Sequence, residues 1–134
     1  MIAIDLRTGM LTNAALAAAI GTRVYPGKLP QTVTLPAATY GRVNSPPGLV
    51  YGGRSGKQKA RLFWDAHALT YAAALALAAK IKTAAEGLIN VTVGTNVIEC
   101  VNVLDVNDID LPDTTPGLAL HRVRVDMSVW YKEA

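Results

Sequence analysis

The sequence predicts an α+β domain: a small antiparallel β-sheet with an N-terminal helix and one long helix packed on one face. Three observations lead there. Residues 57–65 and 121–131 alternate between two faces as half-buried strands do. Residues from about Ala66 to Glu86 form an alanine-rich run with apolar positions at helical spacing. The strand signals fall in groups rather than alternating singly with helices, which favours antiparallel pairing. The 134 residues are read as one domain, residues 1–134. A chain of that size hides roughly two-thirds of the surface it exposes when unfolded, enough to fold without metal or disulfide.

Taken in order, residues 4–20 read as a helix, broken near Gly9 and closed by Gly21 as its C-terminal cap. Leu11 to Ile20, preceded by Arg7, has the outline of a signal peptide, but Asp5 sits in the would-be basic region and Thr12-Asn13 interrupt the apolar run, so a helix is expected. Thr22 to Tyr25 is a short extended piece ended by Pro26, and Leu29-Pro30 and Leu35-Pro36 demand extended backbone. Ala37 to Val43 is a strand. Asn44 to Gly56, with Pro46-Pro47, Gly48, Gly52-Gly53 and Gly56, has the composition of a long mobile loop.

In the next strand Lys57, Lys59, Arg61, Phe63 and Asp65 share one face, and Gln58, Ala60, Leu62 and Trp64 the other. Asp65 is expected to cap the long helix, His67 to open it and Gly87 to stop it, with Thr70, Ala74, Leu77, Ile81, Ala84 and Leu88 as the inward stripe. Val97 to Asp105 is a further strand and Val106 to Gly117 an acidic loop. The last strand puts Val123, Val125, Met127, Val129 and Tyr131 on one side. Arg122, Arg124, Asp126, Ser128 and Trp130 fall on the other, with His121 at its start.

Composition narrows the function. Hydrophobic residues make up 51% of the chain and charged residues 17%, where an average soluble domain is nearer a quarter charged. Apolar surface beyond the needs of one core points to an assembling subunit. The single cysteine, Cys100, cannot form an internal bridge, and is expected to be a small buried hydrophobe in a chain made in a reducing cytosol. The run Ala68 to Ala79 is too short to span a bilayer, so no membrane segment is expected. Charge is segregated. Residues 1–61 hold eight basic residues and one acid (8 − 1 = +7), and residues 62–134 hold five basic and nine acidic (5 − 9 = −4), together the net +3. Such opposed patches suit head-to-tail association of copies, with two merely solvating loops as the alternative.

Catalytic and cofactor chemistry finds little purchase. Gly52-Gly53-Arg54-Ser55-Gly56-Lys57 resembles part of a phosphate-binding loop, but Tyr51 stands where glycine is required and Gln58 where serine or threonine is. Two histidines and one cysteine supply no zinc spacing. Ser128, His121 and Asp126 cannot converge as a nucleophilic set, because His121 and Asp126 point to opposite faces of one strand. Asp105, Asp108, Asp110 and Asp113 lack the spacing, glycine and glutamate of a calcium loop. No enzyme activity, cofactor or metal is therefore expected. Arg54, Lys57, Lys59 and Arg61 with Phe63, and Arg122 and Arg124 with Trp130, combine cations and aromatics as single-strand binding surfaces do. That keeps a sequence-independent nucleic-acid-binding module as an alternative.

Three stretches together resemble a known family. They are Gly21-Thr22-Arg23-Val24-Tyr25-Pro26 followed by Leu29-Pro30 and Leu35-Pro36-Ala37; the join Trp64-Asp65-Ala66-His67 with Tyr71, Ala74, Leu77, Ala78 and Ile81; and His121-Arg122-Val123-Arg124-Val125-Asp126 with Trp130-Tyr131. The chain is similar to the tail terminator, or tail completion, proteins of long-tailed bacteriophages and prophages. The resemblance implies a structural virion protein, assembled in the bacterial cytoplasm, that forms a six-membered ring on the tail tube. Such a ring stops tube growth and offers the head-joining surface. Its partners would be further copies, the tube protein and neck or connector proteins, with DNA passing unread through the lumen. A neck or connector role in the same particle is the alternative. Arg54, Lys57, Lys59, Arg61, Arg122, Arg124, Trp130, Asp105, Asp108 and Asp110 are the candidate interface residues. Gly52, Gly53, Arg54, Ser55 and Gly56 are the candidate partner-binding loop.

Overall fold

The computed structural model of the chain describes residues 2–28, 35–44, 49–50, 53–54, 57–94, 96–109 and 121–133. Helices α1 (Ile2–Met10) and α2 (Ala14–Ile20) precede strands β1 (Val24–Pro26), β2 (Ala37–Asn44), β3 (Leu49–Val50), β4 (Gly53–Arg54) and β5 (Lys57–Ala68). Helix α3 (Tyr71–Glu86) follows, then β6 (Val91–Val93), β7 (Asn96–Ile109) and β8 (His121–Glu133). The α+β architecture is the one expected, with helices covering one face of a six-stranded sheet ordered β1-β2-β5-β8-β7-β6.

The two strands with the cleanest alternation form the centre. β5 pairs antiparallel with β8 from Lys57↔Lys132 to Ala68↔His121 without a register break. Their shared inner face holds Ala60, Leu62, Trp64, Ala66, Val123, Val125, Met127 and Val129, each at most 1% exposed. Helix α3 lays Ala74, Leu77, Ala78, Ile81, Ala84 and Ala85 on this face, and small alanines let helix and sheet approach closely. Leu6, Met10, Leu16 and Ile20 from the two N-terminal helices complete the same core cluster. Trp64 is its largest fully buried side chain and stacks on Tyr40, with ring centroids 5.8 Å apart.

Several element ends differ from the expectations. The N-terminal helix breaks after Met10, not at Gly9, which is buried inside α1 against Leu88 and Val93. The break is set by Asn13, whose side chain accepts a hydrogen bond from the Leu16 amide and caps α2, which Gly21 closes. β5 runs on to Ala68, so neither Asp65 nor His67 belongs to the helix start. Thr70 is the cap, accepting from the Ala73 amide at 3.2 Å, and is exposed rather than part of the inward stripe. The sheet is mixed, not purely antiparallel, because β1 pairs parallel with β2 over Val24–Pro26.

β6 was not foreseen; it pairs with β7 across a tight turn at Gly94, where φ is +58° and a Cβ would lie 2.6 Å from Asp5 Oδ1. The Asp5 carboxylate also accepts from Asn96 Nδ2, tying α1 to this turn. The expected acidic loop begins later than predicted: Val106 to Ile109 continue β7, paired through Asp108↔Val123 and Ile109↔Arg122. Cys100 is half-buried rather than fully buried. Within the expected loop Asn44–Gly56, β3 and β4 form a small antiparallel ribbon separate from the main sheet.

Candidate functional site

The sheet face turned away from the helices carries Lys59, Arg61, Arg122, Arg124 and Trp130, because alternation along β5 and β8 throws every second side chain there. Its centre is ionic. The Asp65 carboxylate, 0% exposed, accepts four hydrogen bonds from the two arginines of β8. Arg122 donates to Oδ2 through Nε at 2.9 Å and again through Nη2. Arg124 donates through Nε to Oδ1 at 2.9 Å and through Nη2 to Oδ2 at 3.2 Å. The register makes this possible, since Asp65 lies directly opposite Arg124 and His67 opposite Arg122. Arg124 also covers the Phe63 ring, its guanidinium carbon 4.2 Å from the centroid.

Beside this cluster, His67 is 6% exposed and its Nε2 shares a hydrogen bond of 3.0 Å with Thr39 Oγ1, itself 1% exposed. Burial, seconded by the Arg122 charge and opposed by Asp65, lowers the His67 pKa from 6.5 to about 4. The unfolded chain therefore binds a proton between those values that the folded chain refuses. Stability conferred by neutral His67 is complete above pH 6.5 and is lost as pH falls toward 4. Urea melts across that window should show the slope, of order 1 kcal/mol per pH unit. A His67→Gln variant should flatten it; an unchanged slope would assign the effect to other groups.

Toward the other end of the face the cations are free to meet a partner. Arg61 and Lys59 are exposed, and Lys59 Nζ sits 5.4 Å from the ring centre of Trp130, which is 36% exposed. Asp105 and Asp108 are exposed on β7, and Tyr71 Oη donates to Asp108 Oδ2 at 2.8 Å. Asp105 stands opposite Asp126 in the register. Arg54 lies in β4 and Lys57 begins β5. Asp110, Gly52, Ser55 and Gly56 lie outside the described residues, whereas Gly53 is in β4.

Arg122 and Arg124 thus differ from Lys59 and Arg61: they are bound to their own chain's carboxylate. Sequence reasoning missed Asp65 as their partner, although its place on the same face of β5 as Lys59 and Arg61 was legible. It missed the Thr39–His67 pair as well, which needs the β2–β5 register to be seen. Among the described residues no group of three His, Cys, Asp or Glu side chains is placed to hold a metal. No helix among them is long and apolar enough to cross a membrane.

The chain is an α+β domain with a closed core and a sheet face that carries charged and aromatic side chains. The sequence matches the tail completion protein gp17 family over residues 5–132, and the chain belongs to that family. It is a structural protein of a phage-like virion tail. No curated protein matches it by sequence. Its fold is shared with a chain from the virion of a native gene transfer agent particle, at a TM-score of 0.71 and 16% identity, covering 95% of this chain and 94% of that one.

Proposed function

We propose that the protein is the terminator of its tail: a ring, six-membered by the family resemblance, that seats on the end of the tail tube. The ring stops tube subunits adding and presents the surface to which the filled head joins. The observation that carries this reading is the family match across nearly the whole domain. The exposed cations Lys59 and Arg61 beside Trp130 support it, because they share a sheet face with the Asp65 cluster and are not bound by it. The work is mechanical and needs no catalysis, and DNA traverses the lumen without being read. Assembly takes place in the host cytoplasm, against the tube protein on one side and neck or connector proteins on the other.

Deleting the gene from its parent particle and imaging the lysate by negative-stain microscopy tests the assignment. Overlong free tubes beside tailless, DNA-filled heads are expected. Finished tails of normal length beside unjoined heads would move the protein to the neck, and intact infectious particles would end both virion roles. At residue level, Trp130→Ala should leave the thermal melt within a few degrees of the parent, because the ring is partly exposed already. It should still fail to complete tails in a complementation assay. Normal complementation would remove Trp130 from the interface.

A further inference from the structure

We propose that the open edge of β7 receives the β3–β4 hairpin of a second copy, so that neighbouring subunits are joined by strand addition. The proposal deepens the ring reading and rests on it.

β7 is a long edge strand. β6 pairs with it only from Asn96 to Ile98, and one further bond runs from the Asn90 amide to the Glu99 carbonyl. From Cys100 to Ile109 no strand lies beyond it among the described residues. Asn102, Leu104, Asp105, Val106, Asn107 and Asp108 are all exposed, Leu104 at 54% and Val106 at 41%. A long edge with exposed apolar side chains is a template for another strand. Tyr71 and Leu75, one helical turn apart on α3, are exposed as well, and Tyr71 reaches the strand through Asp108.

The hairpin is the complementary half. β3 and β4 bond to each other and not to the main sheet. A two-stranded ribbon is marginal alone in water, so a third strand stabilises it. Charge matches too. Between Lys82 and Arg122 the sequence has no lysine or arginine but carries Glu86, Glu99, Asp105, Asp108, Asp110 and Asp113. From Asn44 to Lys57 it has Arg54 and Lys57 and no acid.

Strand register separates the hairpin from the acidic end of its own β7. The hairpin leaves the sheet where Lys57 pairs with Lys132, whereas Asp108 pairs with Val123, nine positions back along β8. At about 3.3 Å per residue that is roughly 30 Å. A hairpin therefore meets the acidic half of β7 on the next copy, not its own. The contact is head-to-tail, the kind that closes into a ring when the rotation per subunit allows.

Mixed-copy crosslinking tests this in a Cys100→Ala background, with Leu104→Cys in one preparation and Val50→Cys in another. After mixing at high concentration and mild oxidation, a disulfide-linked dimer should form in the mixture and not in either preparation alone. Val106→Lys, at an exposed position, should keep the monomer's circular dichroism and weaken self-association at least tenfold by analytical ultracentrifugation. Oligomers that form with the cysteine pair silent and Val106→Lys without effect would overturn the strand addition and leave the ring reading standing. A chain that stays monomeric and silent at every concentration would overturn the strand addition for the free protein, and the gene-deletion images judge the ring separately.

Discussion

Replacing Asp65 with asparagine should destabilise the domain by about 3 kcal/mol and lower the melting temperature by roughly 10 °C. The carboxylate is fully buried and accepts four hydrogen bonds from two guanidinium groups. An amide of the same shape cannot neutralise either charge, and it turns two N–H donors toward other donors. Arg122 and Arg124 keep side-chain exposures of 20% and 28%, so water recovers part of their solvation. That places the cost at the low end of what breaking a buried pair produces. A urea melt showing less than about 1 kcal/mol of change would mean that the cluster only orients the strands. The same geometry sets the outcome at Arg124. A glutamate there would set a second carboxylate against Asp65, so Arg124→Glu would report on folding and not on assembly.

Trp64→Ala should cost still more, about 4 kcal/mol. The indole is 0% exposed, faces α3 from the middle of β5, and stacks on Tyr40 at an interplanar angle of 28°. Rigid strands on either side, β2 and β8, prevent collapse into the void. Trp64→Phe should recover most of the loss. Thermal unfolding of the pair of variants checks this; equal stability of Trp64→Ala and the parent would show a core that repacks freely. Because Trp64 and Trp130 lie on opposite faces, Trp64→Ala should quench the buried component of the fluorescence, while Trp130→Ala removes the exposed one.

Much of the architecture was readable because it rests on local periodicity. Alternation in β5 and β8 needs only the two-residue repeat of an extended chain, and it placed Ala60, Leu62, Trp64, Val123, Val125, Met127, Val129 and Tyr131 on the inner face correctly, while Ala66 and Ala68, expected in the helix, lie there too. The stripe along α3 was legible from its helical spacing, from Ala74 to Ala84, with Leu88 buried just beyond the helix end. The charged outer face and its candidate cations followed directly. Family resemblance, carried by three separated stretches, agreed with the match over residues 5–132.

What failed were boundaries and partners. Asp65 looks like a helix cap because it precedes an alanine-rich run, and aspartate is a strong cap. Only the neighbouring strand reveals that two arginines claim it, and that pairing continues to Ala68. Val106 to Ile109 look like a loop because Asn107 and Asp108 are residue types that disfavour strands. β8 runs alongside them and supplies the hydrogen bonds that override this preference. The short β6 carries three residues, too few for any periodic signal, and β1, expected as an extended piece, pairs parallel with β2 in a way that no local pattern encodes.

By itself, then, the sequence determined the class of fold, the inward faces of its long elements, the placement of charge on one sheet face and the family. The tertiary structure decided which cations stay available: Arg122 and Arg124 are bound to Asp65, while Lys59 and Arg61 remain exposed. It also decided that, among the described residues, β7 beyond Glu99 has no strand on the side away from β8. Both depend on strand order and register. Residues 57 to 59 positions apart meet only after the sheet has formed, and no local pattern encodes which strands become neighbours.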